Sequence, residues 1–161
     1  MVVGQGKQQI VTFKAKSGTQ SLWYGNKSNG TYDCGGDEHS GTATSEPITL
    51  QPAVDYTLSF QLFMDTEQGS SYDVLTVEAV VGGATIVLWV KSQMSPNAFD
   101  VWGKQQIDLS ALAGQTFQLR FRFDTSDGVL NSGQGTFVDD VTIASNCEAV
   151  SCTTSSQCDD G

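Results

Sequence analysis

Histidine is nearly missing from this 161-residue chain, with His39 the only one. A Ser-His-Asp triad would have that single base, placed in the polar run Asp37-Glu38-His39-Ser40-Gly41. Basic residues are also scarce: 8 lysines and arginines face 18 acidic residues, a net charge of -10. Phosphate binding needs a basic face, which excludes nucleic acid as a partner. No apolar run approaches the ~20 residues of a membrane span. The opening residues, Met1-Val2-Val3-Gly4, lack the apolar core of a signal peptide, and a trimmed secreted chain reads the same way. Gly-x-Ser-x-Gly, His-Glu-x-x-His and phosphate-binding glycine loops do not occur. Paired carboxylates could cleave glycosides, but so acidic a chain creates such pairs by chance. The inventory reads as a binding or structural module and not an enzyme.

Cysteine is limited to Cys34, Cys147, Cys152 and Cys158, with no Cys-x-x-Cys pair. With one histidine, that excludes a structural zinc site. Disulfides in an oxidising compartment fit better. The expected pairing is Cys34 with Cys147 and Cys152 with Cys158, stapling an early loop to the end of the last strand. The alternatives are a free Cys34, or a tail cysteine pairing beyond Gly161.

What the chain does have is alternation with period two. Tyr56 to Phe63 places Tyr56, Leu58, Phe60 and Leu62 on one face. Val74 to Val81 places Leu75, Val77 and Ala79 inward. Phe117 to Phe123 alternates without a break. Thr85 to Val90 is apolar on both faces, which predicts a central or covered strand. Gln9 to Phe13, Thr42 to Leu50 and Trp102 to Leu109 are weaker strands. Gly82-Gly83 marks a hairpin. Ser110 to Gly114 reads as one helical turn capped by Ser110. Around eight strands predict an all-β antiparallel β-sandwich, a jelly roll, over residues 1–145. Residues 146–161 form a cysteine-rich tail or the start of a small disulfide module.

The closing strand carries the sharpest feature. Simple alternation puts Phe137, Val141 and Ile143 on one face, and Asp139 with them. A bare carboxylate there is costly, so Asp139 needs a cation or a set of backbone N–H donors. Further candidate ligand residues lie in the long loops. Trp23 and Tyr24 stand beside Gly25-Asn26 and could stack on a sugar, although Trp23 could equally plug one end of the sandwich. Asp65 and Asp73, and Asp127 with Asn131, could supply oxygen ligands or simply cap solvated turns. Asn26-Lys27-Ser28 and Asn29-Gly30-Thr31 match the N-glycosylation sequon.

Several stretches together resemble the MAM-like, galactose-binding-like jelly-roll modules of secreted multidomain proteins. They are Leu22-Trp23-Tyr24-Gly25-Asn26, Tyr32-Asp33 with Ser40-Gly41, Ser45-Glu46-Pro47-Ile48, Ile107-Asp108-Leu109-Ser110 with Ala113-Gly114, Leu119-Arg120-Phe121, and Val138-Asp139-Asp140-Val141. The resemblance implies a structural calcium on Asp139 alone; Asp33 and Glu38 are added as candidate ligands because both lie in an early loop that could reach the start of this strand. The resemblance also implies that the tail from Cys147 is a cysteine-rich repeat of a surface protein. The expected role is a non-catalytic extracellular adhesion or carbohydrate-binding module. Its partners would be a glycan or cell-surface protein and other domains of the same polypeptide. The alternative is a subunit of a self-assembling surface layer, with Gln8 to Lys16 lending a strand to a neighbour.

Overall fold

The computed structural model describes residues 8–95 and 98–146. Ten strands run through them: β1 (Gln8–Val11), β2 (Ser21–Tyr24), β3 (Ser40–Thr44), β4 (Ile48–Thr49), β5 (Tyr56–Asp65), β6 (Val74–Val81), β7 (Ala84–Val90), β8 (Gly103–Asp108), β9 (Thr116–Asp124) and β10 (Gly135–Ser145). One sheet has the order β1-β2-β10-β5-β8. The other has the order β3-β9-β6-β7, with β4 also on β9. Every strand pairing is antiparallel. This is the expected jelly-roll β-sandwich. No helix among the described residues is long and apolar enough to cross a membrane.

The long alternating runs build the core. Leu58, Phe60, Leu62 and Met64 of β5 meet Leu75, Val77 and Ala79 of β6 and Phe117, Leu119, Phe121 and Phe123 of β9. Gly82 and Gly83, at φ of 56° and 88°, close the β6–β7 hairpin in the left-handed region that favours glycine.

Four expectations need correction. Thr42 to Leu50 divides into β3 and β4, because Ser45 leaves the ladder and binds Glu46 O and Leu119 N through its hydroxyl. Trp23 and Tyr24 lie in β2 and not in a loop. The turn Ser110–Leu112 is a 3₁₀ turn whose N-cap is Leu109; Ser110 instead binds the Asp108 carboxylate. Finally, β7 is an edge strand, apolar on both faces without being central.

β10 also departs from simple alternation. Its register on β5 runs Phe137↔Phe63, Val138↔Leu62 and Asp139↔Gln61, then resumes at Thr142↔Ser59 and Ile143↔Leu58. One extra residue is inserted, with Asp140 at φ 49°. Phe137 and Asp139 therefore point outward from the sandwich, while Ile143 packs on the main core with Leu58. Phe137 is nevertheless buried, because a second cluster forms on the outside of this sheet from Val11, Trp23, Phe63 and Phe137. The β1–β2 loop covers it.

Cys147, Cys152 and Cys158 lie outside the described residues. Cys34 is exposed and free among those described. The Cys34 loop sits at the Gly135 end of β10, where the Tyr32 amide binds Gly133 O. Asn146 sits at the opposite end, its amide on Asp55 O. At about 3.3 Å per residue the two ends of β10 are roughly 30 Å apart. The described geometry thus does not bring the early loop to the end of the last strand.

Candidate functional site

The expected calcium ligands are not gathered. Asp139 Oδ2 accepts the Lys16 amide at 2.7 Å and the Ser17 amide at 3.2 Å, and Oδ1 accepts the Asp140 amide at 2.7 Å. Three N–H donors complement a carboxylate and repel a cation. Of the two partners predicted for Asp139, the structure supplies the amides. Asp33 caps its own loop, taking the amides of Gly35 at 2.8 Å and Gly36 at 2.9 Å, which hold its carboxyl below the usual range. Glu38 is exposed. No three histidine, cysteine or carboxylate groups among the described residues converge on one point. These residues do not fit a calcium ion.

The candidate ligand-loop residues are mostly structural. Trp23 is wholly buried. Its ring stacks on Phe137 at 5.8 Å, and its indole N–H binds Gln134 O at 2.6 Å. The ring lies so close over Gly25 that a Cβ there would overlap it. Tyr24 is buried too, its hydroxyl 2.7 Å from His39 Nδ1. Asp73 is buried under the Tyr32 hydroxyl at 2.6 Å and the Glu67 amide at 2.8 Å. Burial pushes its carboxyl up, while Tyr32, the Glu67 amide and Lys91 oppose the shift. Asn131 is buried with its Nδ2 on Asp127 O. Asp127 takes the Val129 amide within its turn. Asp65 takes the Gln134 amide at 2.8 Å.

His39 has a measurable consequence. Burial pulls its pKa below the ordinary histidine value, with Asp33 and Asp124 opposing. A folded-state pKa below the unfolded one means the unfolded chain binds the proton first. Stability is then full above the unfolded value and lost as pH falls through the folded one. Melting temperature should drop by a few degrees between about pH 7 and about pH 5. His39→Gln should flatten most of that slope; an unchanged slope in the variant would assign the dependence elsewhere.

Two grooves remain among those described. One, of about 230 Å³, is lined by Gln68, Gly69, Ser70, Lys91, Ser92, Met94 and Phe99, between two of the long loops. The other, of about 300 Å³, is lined by Phe13, Lys14, Lys27, Gly30 and Gln134. Phe13 is 58% exposed. It stands edge-on to Trp23 at 4.9 Å and to Phe137 at 5.8 Å. Its loop is fastened by Ser21 Oγ donating to Lys14 O at 2.6 Å. The Gln134 backbone is held on both sides, by Asp65 and by the Trp23 indole. An exposed ring with a rigid base and polar side chains beside it is suited to an amphipathic ligand. Sequence reading missed Phe13, because period two carried the first strand through it. β1 instead stops at Val11 and frees the ring.

No family model and no curated protein matches the sequence. Solved structures match in fold. One is a carbohydrate-binding module of the β-sandwich superfamily, with TM-score 0.56 and 12% identity, covering 89% of this chain and 55% of that one. Another is an arabinose-bound α-L-arabinofuranosidase, with TM-score 0.52 and 16% identity, covering 88% of this chain and 22% of that one. A third is the C-terminal carbohydrate-binding module of a laminarinase from Zobellia galactanivorans, with TM-score 0.50 and 11% identity, covering 89% and 91%. The chain thus spans about half of the first structure and about a fifth of the second. The likeness is one of fold.

Proposed function

We propose that this chain is a glycan-binding module of a secreted or cell-surface protein, acting by binding and not by catalysis, alongside other domains of its polypeptide. The observation that carries the reading is the exposed Phe13 ring, propped on buried Trp23 at the rim of a groove. Sugar rings present C–H faces that pack on such a ring and hydroxyls that reach Gln134, Lys14 and Lys27. The fold's likeness to carbohydrate-binding modules supports it. A glycan array followed by calorimetry tests it. Phe13→Ala should weaken binding of the best glycan about tenfold or more, a loss of roughly 1.4 kcal/mol. Affinity unchanged by Phe13→Ala would remove the groove from consideration.

A second reading, assembly of copies, rests on β7. Its sequence, Ala84-Thr85-Ile86-Val87-Leu88-Trp89-Val90, contains no charge and no proline, the usual guards of an edge strand. Ile86 is 42% exposed and Val87 59%. The segment expected to lend a strand does not offer one, since Gln8–Val11 already pairs with β2. Sedimentation velocity over a concentration series should show association, abolished by Val87→Lys. A wild-type chain that stays monomeric throughout counts against assembly.

A further inference from the structure

We propose that the Phe13 groove selects an anionic glycan, one bearing carboxylate or sulfate groups. This rests on the glycan-binding reading and deepens it. The chain has only 8 cationic side chains against 18 acidic ones. Two of those cations, Lys14 and Lys27, line this single groove, and no carboxylate is among its lining residues.

Among the described residues, both ammonium groups keep unused donors. The Lys14 ammonium lies 3.3 Å from the centre of the Phe63 ring and 5.3 Å from that of Phe137. Ring faces attract a cation without accepting its N–H groups in full hydrogen bonds. Lys14 Nζ makes no hydrogen bond to the described residues. Lys27 Nζ reaches only Ile10 O, at 3.5 Å. Partial burial pulls the Lys14 ammonium below the usual lysine value, and Asp65 and Asp100, beyond ion-pair distance, oppose the shift. Asp65 Oδ2 is meanwhile occupied by the Gln134 amide.

The other groove is different. Lys91 also lines it, but its ammonium is spent on Glu67 O at 2.7 Å, Tyr72 O at 2.8 Å and Thr66 Oγ1 at 3.4 Å. A cation with its donors satisfied offers little to an anion. One with free donors beside an aromatic platform offers charge-assisted hydrogen bonds to carboxylate or sulfate oxygens. In a chain of net charge -10, such a site also offsets the general repulsion of an acidic polymer.

The test compares three oligosaccharides of equal length: a neutral glucan, an oligogalacturonate and a sulfated galactan. Each is titrated calorimetrically into the whole chain at about 50 mM and about 300 mM salt. One of the two anionic sugars should bind about tenfold tighter than the neutral one at low salt, and the margin should shrink at high salt. Which anionic sugar leads separates a carboxylate from a sulfate site. Lys27→Gln, at an exposed position, should cut the anionic affinity several-fold and the neutral affinity by much less, since a neutral sugar loses only one hydroxyl contact there. Equal affinity for neutral and anionic sugars overturns the inference while leaving the glycan reading intact. Anionic binding insensitive to both Lys27→Gln and Phe13→Ala overturns the assignment to this groove. Failure of all three sugars and of the glycan array overturns the glycan reading itself.

Discussion

Replacing Trp23 with alanine should lower the unfolding free energy by about 3–5 kcal/mol, the range for emptying a buried large aromatic site. The indole is fully buried between Phe137 and Phe13, and its N–H saturates Gln134 O. Alanine leaves a void on the outer side of the sheet and an unpaired carbonyl. It also removes the support under Phe13, so glycan affinity should fall together with stability. Urea denaturation with linear extrapolation reads the first effect and calorimetry the second. Trp23→Phe keeps a ring without the N–H and should recover part of the stability. A loss below about 1 kcal/mol for Trp23→Ala would mean that the outer cluster is not a second core.

The next largest effect is expected at Lys91. Its side chain is 3% exposed and fastens the loop between β5 and β6 through Glu67 O, Tyr72 O and Thr66 Oγ1. Lys91→Met preserves the aliphatic stem and removes the ammonium. Two backbone carbonyls then lose their donor, and buried Asp73 loses the nearby positive charge that eases its ionisation. Leaving two carbonyls without their charged donor costs about 3 kcal/mol in all. Hydrogen exchange across residues 66–73 should speed up more than exchange in β9. Adding Asp73→Asn to Lys91→Met should return part of the loss, because no uncompensated carboxylate is left. Exchange in the loop that stays at wild-type rates would show that the lysine does not hold it.

Much of the sandwich was legible in the sequence, where one face of a strand is buried and the other is not. Phe117, Leu119, Phe121 and Phe123 alternate with Gln118, Arg120 and Arg122, and the structure places the first four in the core and leaves the other three half-buried. Period-two reading failed where another constraint prevailed. β7 looked central or covered by a loop because Ile86 and Val87 are apolar on successive positions, yet they lie on an open edge. The site was harder to read. Tyr24, Asp73 and Asn131 looked like ligand residues and are buried parts of the scaffold. Asp139 was expected on the apolar face and lies on the outer one, and sequence alone could not choose between cation and amides as its partner. The choice depends on the Lys16–Ser17 backbone, more than 120 residues away along the chain. Phe13 and Lys14 were passed over because the end of β1 is set by pairing with Ser21, not by any local breaker.

The extra residue in β10 bears on how this chain can vary in length. It lies between Asp139 and Thr142, and the ladder on either side keeps the same facing. A strand without Asp140 would pair straight through, with Val141 opposite Phe60 and every later residue on the face it already holds. Most single-residue deletions in a buried strand reverse everything downstream. Here a deletion removes a kink and leaves both faces as they were. Related chains should therefore show one-residue gaps at this point in the closing strand and uninterrupted alignment on either side.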